Sequence, residues 1–71
     1  MKKFKGLSSK KLKEVVTIIC YGQKETKTRQ EAIDDFYEAM LCSEGSEHER
    51  YENIFFQLMN GKMECNDQEG F

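Results

Sequence analysis

The sequence predicts a small α+β domain in which a β-hairpin precedes an antiparallel helical hairpin. Two amphipathic helical patterns lie between Thr28 and Gly61 and are separated by a short polar loop. A block of β-branched residues and a segment that alternates charge and threonine come before them. The alternative fold is an all-α three-helix bundle, because the β-branched block also carries apolar residues at helical spacing.

The β-branched block decides between these two folds. Residues 15–19 read VVTII, and such residues lose rotamer freedom in a helix but suit a buried, pleated surface. In the helical alternative, residues 12–21 form a helix capped by Ser9 and Gly22. We favour the strand.

A return strand is predicted for residues 24–28, which alternate charged residues and threonine after a turn at 21–23. A third, short strand is expected within residues 62–66. These strands would form one small sheet.

Both helices begin with a sequence typical of a capping box. Thr28 with Glu31 has the T-x-x-E spacing, in which the hydroxyl accepts a free backbone N–H and the carboxylate reaches back to the cap residue. Ser46 with Glu49 repeats this spacing. We therefore expect the second helix to begin at Ser46.

Each predicted helix carries one apolar stripe. The stripes consist of Ile33, Phe36, Tyr37, Met40 and Leu41 in the first helix and of Tyr51, Ile54, Phe55, Leu58 and Met59 in the second. The first helix should end near Cys42, and Gly61 should supply a left-handed cap after the second. Because the loop at 43–45 is so short, the helices must run antiparallel and pack their stripes together.

The 71 residues predict one domain over residues 12–71, preceded by a flexible basic extension over residues 1–11. Charge is sorted along the chain. The first thirteen residues contain six lysines and no acid, whereas Glu31 to the C-terminus contains eleven acids against Arg50 and Lys62. No run of about 18 apolar residues suggests a membrane span, and the start lacks the apolar core of a signal peptide, so we expect a cytoplasmic protein without a membrane partner.

Catalytic and metal chemistry are weakly signalled. Cys20, Cys42, Cys65 and His48 are suitable zinc ligands, but their wide spacing does not resemble the close pairs of structural zinc sites. The odd number of cysteines fits reduced thiols at core or boundary positions. The sequence also lacks phosphate-binding glycine motifs. We predict no enzyme activity, no catalytic residue, no cofactor and no metal.

Two surfaces are candidates for binding a partner. The first is the acidic outer face of the helical hairpin, formed by Asp34, Asp35, Glu38, Glu44, Glu47, Glu49 and Glu52, with Glu31 at its end. It suits another protein, although a face that merely keeps the protein soluble has the same composition. The alternative is nucleic-acid binding through the N-terminal lysines Lys2, Lys3, Lys5, Lys10, Lys11 and Lys13. Because Phe56 and Ile18 fall outside the apolar stripes, a homodimer is also considered.

A series of short motifs resembles small uncharacterised proteins carried by mobile genetic elements of Firmicutes. The motifs are Tyr21-Gly22, Glu25-Thr26-Lys27-Thr28, Glu31-Ala32-Ile33, Ser43-Glu44-Gly45-Ser46-Glu47, Glu49-Arg50-Tyr51, Asn53-Ile54, Gln57-Leu58 and Gly61. The resemblance covers about residues 15–65, and the lysine-rich extension departs from it. It implies an accessory protein that binds and inhibits host machinery, and it implies no catalytic residue or cofactor.

Overall fold

The chain folds into a three-stranded sheet covered on one face by two helices, and the computed structural model describes residues 8–68. The elements, in chain order, are α1 (Ser9–Leu12), β1 (Val15–Cys20), β2 (Gln23–Thr28), α2 (Arg29–Leu41), α3 (Gly45–Met59) and β3 (Glu64–Asn66). The α+β prediction is confirmed, and the three-helix alternative is wrong because the β-branched block forms β1.

The sheet has the strand order β2-β1-β3. β1 pairs antiparallel with β2 and parallel with β3. Tyr21 and Gly22 connect β1 to β2 with φ angles of 53° and 77°, the left-handed backbone of a two-residue type I′ hairpin turn. The predicted hairpin and the predicted third strand are thus both present.

The capping box predicted for α2 is confirmed. The Thr28 hydroxyl accepts the Glu31 N–H at 3.2 Å, and the Glu31 carboxylate accepts the Thr28 N–H at 3.3 Å. The helix ends at Leu41 with Cys42 as its C-cap, as expected. The Ser43 hydroxyl then donates to the Ala39 carbonyl at 2.7 Å, which satisfies one of the free carbonyls at the helix end.

The capping box predicted at Ser46 is wrong. α3 begins at Gly45, its N-cap is Glu44, and no side chain caps it. Gly45 has a φ of +66°, which lets the chain turn into the helix before Ser46 and leaves that serine inside the first turn.

The predicted cap at the other end of α3 is confirmed. Gly61 has a φ of +86°. Its N–H donates to Leu58 and the Lys62 N–H donates to Gln57, both at 3.1 Å, which is the hydrogen-bond pattern of a Schellman motif.

The core lies between the sheet and the two helices. It contains Val16, Ile18 and Cys65 from the sheet, Ala32, Ile33 and Phe36 from α2, and Ile54, Phe55 and Leu58 from α3. Ile18 therefore belongs to the core, although it falls outside the helical stripes, because alternation along β1 places it on the same face as Val16.

Leu41 does not belong to the core, against the prediction, and is 69% exposed. It follows Ile33 by eight residues, so the helical periodicity rotates it by about 80° from that buried residue. Phe56 is also partly exposed, at 40%.

The predicted extension over residues 1–11 falls in two parts. Residues 1–7 lie outside the described residues. Ser8 accepts the Lys11 N–H as the N-cap of α1, and α1 extends to Leu12. The predicted boundary at residue 12 therefore falls inside this short helix.

Candidate protein-binding surface

Arg29, the most completely buried charged residue among residues 8–68, is a structural hub. Its five N–H groups face five oxygen acceptors, the carbonyls of Lys11, Leu58, Gly61 and Lys62 and the carboxylate of Glu14. The hydrogen bond from Arg29 holds the pKa of Glu14 below its ordinary value. These bonds tie α1 and α2 to the end of α3. The Arg29 side chain is inaccessible to solvent, so it does not contact a partner.

A second polar cluster joins the hairpin turn to α3 and the end of β3. The buried Asp67 carboxylate accepts hydrogen bonds from the Arg50 guanidinium at 2.9 Å and from the Tyr21 N–H at 3.1 Å. The guanidinium also lies 4.8 Å from the centre of the Tyr21 ring, within cation–π range. The hydrogen bond from the Tyr21 N–H to Asp67 stabilises the left-handed conformation that Tyr21 adopts in the turn.

The predicted acidic residues of α2 do not all face solvent freely. Asp35 pairs with Lys27 of β2 at 2.7 Å, and Asp34 accepts from the Gln30 amide at 3.3 Å. Within residues 8–68, the Glu38 side chain has no hydrogen bond or ion pair and is exposed. Asp35 therefore faces the edge strand β2, whereas Glu38 is free to meet a partner.

The predicted acidic residues of α3 divide in the same way. Glu47 accepts from the hydroxyls of Tyr21 and Tyr51 at 3.5 and 3.4 Å, and Glu52 lies 4.0 Å from His48. The exposed side chains of Glu44 and Glu49 have no such partner among residues 8–68. Glu38, Glu44 and Glu49 are therefore the unengaged acids of the predicted set.

The predicted lysine site is only partly within the described residues. Lys2, Lys3 and Lys5 lie outside them. Lys10 and Lys11 belong to α1 and Lys13 is its C-cap, and all three are exposed. The Lys11 ammonium lies 3.6 Å from the Glu14 carboxylate.

The cysteines occupy three different environments, with Cys65 buried, Cys20 half-buried and Cys42 exposed. Burial raises the pKa of both the Cys20 and the Cys65 thiol, with Asp67 adding to the effect at Cys20. Neither is therefore an activated nucleophile. His48 contacts the Met40 carbonyl at 3.0 Å. Residues 8–68 contain no group of three or more His, Cys, Asp or Glu residues that could hold a metal ion.

Sequence reasoning did not find a groove of about 500 Å³ between β2 and the helical layer. Gln23, Lys24 and Glu25 line it from the strand, and Phe36 and Tyr51 line it from the helices. The rings of Phe36 and Tyr51 lie 5.9 Å apart. The signal in the sequence was the alternation along β2, which directs Gln23, Glu25 and Lys27 toward the helices.

In the part of the chain that the structure describes, no helix is long and apolar enough to cross a bilayer. Comparisons with protein-family models, with curated proteins and with solved structures gave no match.

Proposed function

We propose that this protein binds another protein without catalysis, through the acidic outer surface formed by Glu38, Glu44 and Glu49. The observation that carries the proposal is that these three carboxylates are exposed and unengaged within residues 8–68, while Asp34, Asp35, Glu47 and Glu52 interact with neighbouring side chains. Leu41 and Phe56, on the same two helices, add exposed apolar area. A basic partner would complement such a surface and would be steered toward it.

The biological setting is part of the same proposal. The resemblance of residues 15–65 to small uncharacterised proteins carried by mobile elements supports a role in binding, and inhibiting, a cytoplasmic component of the host. The raised pKa of the Cys20 and Cys65 thiols supports a role without covalent catalysis.

The proposal is tested by capture of partners from a host lysate, followed by mass spectrometry. The Glu38→Gln/Glu49→Gln variant raises the net charge by two. The matched control is Glu64→Lys, which also raises it by two, on the opposite face of the sheet from the buried Cys65. We expect the double variant to lose the captured partner and the control to retain it. Equal capture by both variants would contradict an acidic binding surface.

Nucleic-acid binding is the second candidate, because α1 and its C-cap gather Lys10, Lys11 and Lys13 within one turn. Deleting residues 1–11 would be an ambiguous test, since it removes the Lys11 carbonyl that Arg29 contacts. Replacing Lys10 and Lys13 by glutamine keeps that carbonyl. Fluorescence polarisation with single- and double-stranded oligonucleotides would then show salt-dependent binding that this variant weakens. Absence of binding at low salt would exclude this candidate.

A further inference from the structure

The two edge strands of the sheet, β3 and β2, differ in how far their outward backbone groups are covered. On the β3 edge, the Gln57 side chain donates to the Asn66 carbonyl at 2.9 Å and accepts the Asn66 N–H at 3.0 Å. At Asn66 this side-chain amide takes the place of a neighbouring strand, so α3 covers that end of the β3 edge. The β2 edge has no comparable cover within residues 8–68.

Two observed hydrogen bonds determine which residues of β2 direct their backbone groups toward β1. Arg29 N–H donates to the Glu14 carbonyl at 2.7 Å, and Thr17 N–H donates to the Met63 carbonyl at 2.9 Å. Because bonded and non-bonded pairs alternate in an antiparallel ladder, Gln23, Glu25 and Lys27 direct their backbone groups toward β1. The backbone groups of Lys24 and Thr26 must therefore point outward at the free edge.

The groove lies beside this edge. A strand added to β2 would place the side chain opposite Glu25 on the helical side, next to Phe36 and Tyr51. The groove's volume of about 500 Å³ is ample for one aromatic side chain. Backbone bonds to an open edge combined with a side-chain pocket are the two elements of peptide recognition by strand addition.

Charge also favours a basic partner at this edge. Lys27 lies between two carboxylates, at 2.7 Å from Asp35 and 3.4 Å from Glu25, so one cation faces two anions. Partial burial opposes the charge of Lys27, but the hydrogen bond with Asp35 and the charges of Asp35 and Glu25 together outweigh that effect, so the pKa of Lys27 is raised. Lys24 also lines the groove, but alternation along β2 directs its side chain to the other face of the sheet, so a second lysine or arginine can pair with the two carboxylates.

We propose that β2 binds an extended segment of another protein as a fourth strand. The segment carries an apolar or aromatic residue opposite Glu25 and a basic residue two positions away, beside Asp35. This inference shares with the proposed function the assumption that the partner is a protein, but it uses the backbone edge of β2. A second copy of the chain fits poorly, because its own β2 contains no apolar residue to fill the groove.

The probe is a synthetic seven-residue peptide with the sequence threonine, lysine, threonine, phenylalanine, threonine, lysine, threonine. Its symmetry offers the same side chains in either strand direction. Titration is followed by two-dimensional NMR of the full chain, and we expect slowed hydrogen exchange at the amides of Lys24 and Thr26. Replacing the central phenylalanine by alanine should weaken binding at least about fivefold. If the probe fails to bind with a Kd of about 1 mM or tighter, the proposal is overturned.

Two N-methylated peptides test the backbone bonds without altering the protein. One is methylated at the two threonines beside the phenylalanine, and the other at the phenylalanine and both lysines. An antiparallel strand requires the threonine N–H groups, whereas a parallel strand requires the others. Only one of the two analogues should bind at least about fivefold more weakly, the loss expected for about one hydrogen bond. Equal behaviour of the two analogues overturns the proposal.

The protein variant is Thr26→Pro, which removes the outward N–H while the inner bonds of β2 remain. Its matched control is Thr26→Val, which keeps that N–H. We expect the peptide to bind at least about fivefold more weakly to the first and with unchanged affinity to the second. If Thr26→Pro does not fold, the methylated peptides decide.

Two further measurements distinguish binding at the β2 edge from binding at the acidic surface and from self-association. The Glu38→Gln/Glu49→Gln variant should bind the peptide normally, so failure of the acidic surface does not imply failure of the β2 edge. Light scattering reports the oligomeric state. A wild-type dimer that Thr26→Pro converts to a monomer would show that a second copy occupies the edge and would overturn the proposal.

Discussion

Replacing Arg29 by methionine should remove a large part of the free energy of unfolding. The substitution keeps most of the apolar stem but removes the charged donor of the buried Leu58 carbonyl, which then accepts only the Gly61 N–H. A buried hydrogen bond to a charged group contributes about 1.5–3 kcal/mol, and the carbonyls of Gly61 and Lys62, which are partly accessible, lose their donors as well. We expect a loss of about 3 kcal/mol, with no share assigned to Glu14 because its carboxylate can be rehydrated. A chain of 71 residues has only about 4–11 kcal/mol in total.

Urea unfolding followed by far-UV circular dichroism measures this loss. With a slope of about 1 kcal/mol per molar urea, the midpoint of the Arg29→Met variant should fall by about 3 M or the variant should be unfolded in water. Lys13→Met is the control for loss of a positive charge, since Lys13 is exposed, and it should stay within about 0.5 kcal/mol of the wild-type protein. If Arg29→Met lowers the free energy of unfolding by less than about 1 kcal/mol, the role of Arg29 as a structural hub is refuted.

Three further predictions concern local structure. Thr28→Ala should lower the free energy of unfolding by about 1 kcal/mol because it removes an observed cap, whereas Ser46→Ala should change it by less than about 0.5 kcal/mol. If urea unfolding shows equal losses for the two variants, the assigned start of α3 is contradicted. Gly22→Ala should cost about 1 kcal/mol in the same assay from its positive φ alone, since no atom within 4 Å would meet the added Cβ, and an unchanged midpoint would argue against the type I′ turn. The pKa of Glu14 is lowered in the folded state, so its stabilising contribution is present above the ordinary pKa near 4.5 and is lost as pH falls through the lower folded value. The Glu14→Gln variant should therefore lose less stability on acidification than the wild-type protein. Identical profiles of stability against pH for the two proteins would contradict the Arg29 contact.

Local signals predicted most of the architecture. The β-branched run became β1, and the capping box at Thr28 fixed the start of α2 because both of its hydrogen bonds form within one helical turn. Ser46 shows the limit of such reasoning, since its spacing to Glu49 is correct but the conformation of Gly45 decides where the helix starts.

The polar hubs were not predicted, because their contacts join residues that are distant in the sequence. Arg29 meets Leu58 and Lys62, and Asp67 meets Tyr21, at sequence separations of 29, 33 and 46 residues. Without those contacts, Arg29 is one more charged residue near a helix start. The acidic surface was predicted as a set, but the sequence could not distinguish Glu38, which is unengaged within residues 8–68, from Asp35, which pairs with Lys27 across to β2.

The placement of the buried polar residues bears on where a partner can bind. Arg29 holds the end of α3 through the Leu58 carbonyl, and Asp67 holds the first half of α3 through Arg50. Between these two contacts, the Gln57 side chain covers the β3 edge at Asn66. All three reinforce the side of the domain formed by α3 and β3, where the Gln57 amide satisfies the outward backbone groups of Asn66. β2 is held by the ladder with β1 and by the Lys27–Asp35 pair, and its outward groups remain available within the described chain. A strand edge beside an aromatic groove thus offers both backbone and side-chain recognition, whereas the acidic outer surface offers charge complementarity, which contributes more to the rate of association than to affinity.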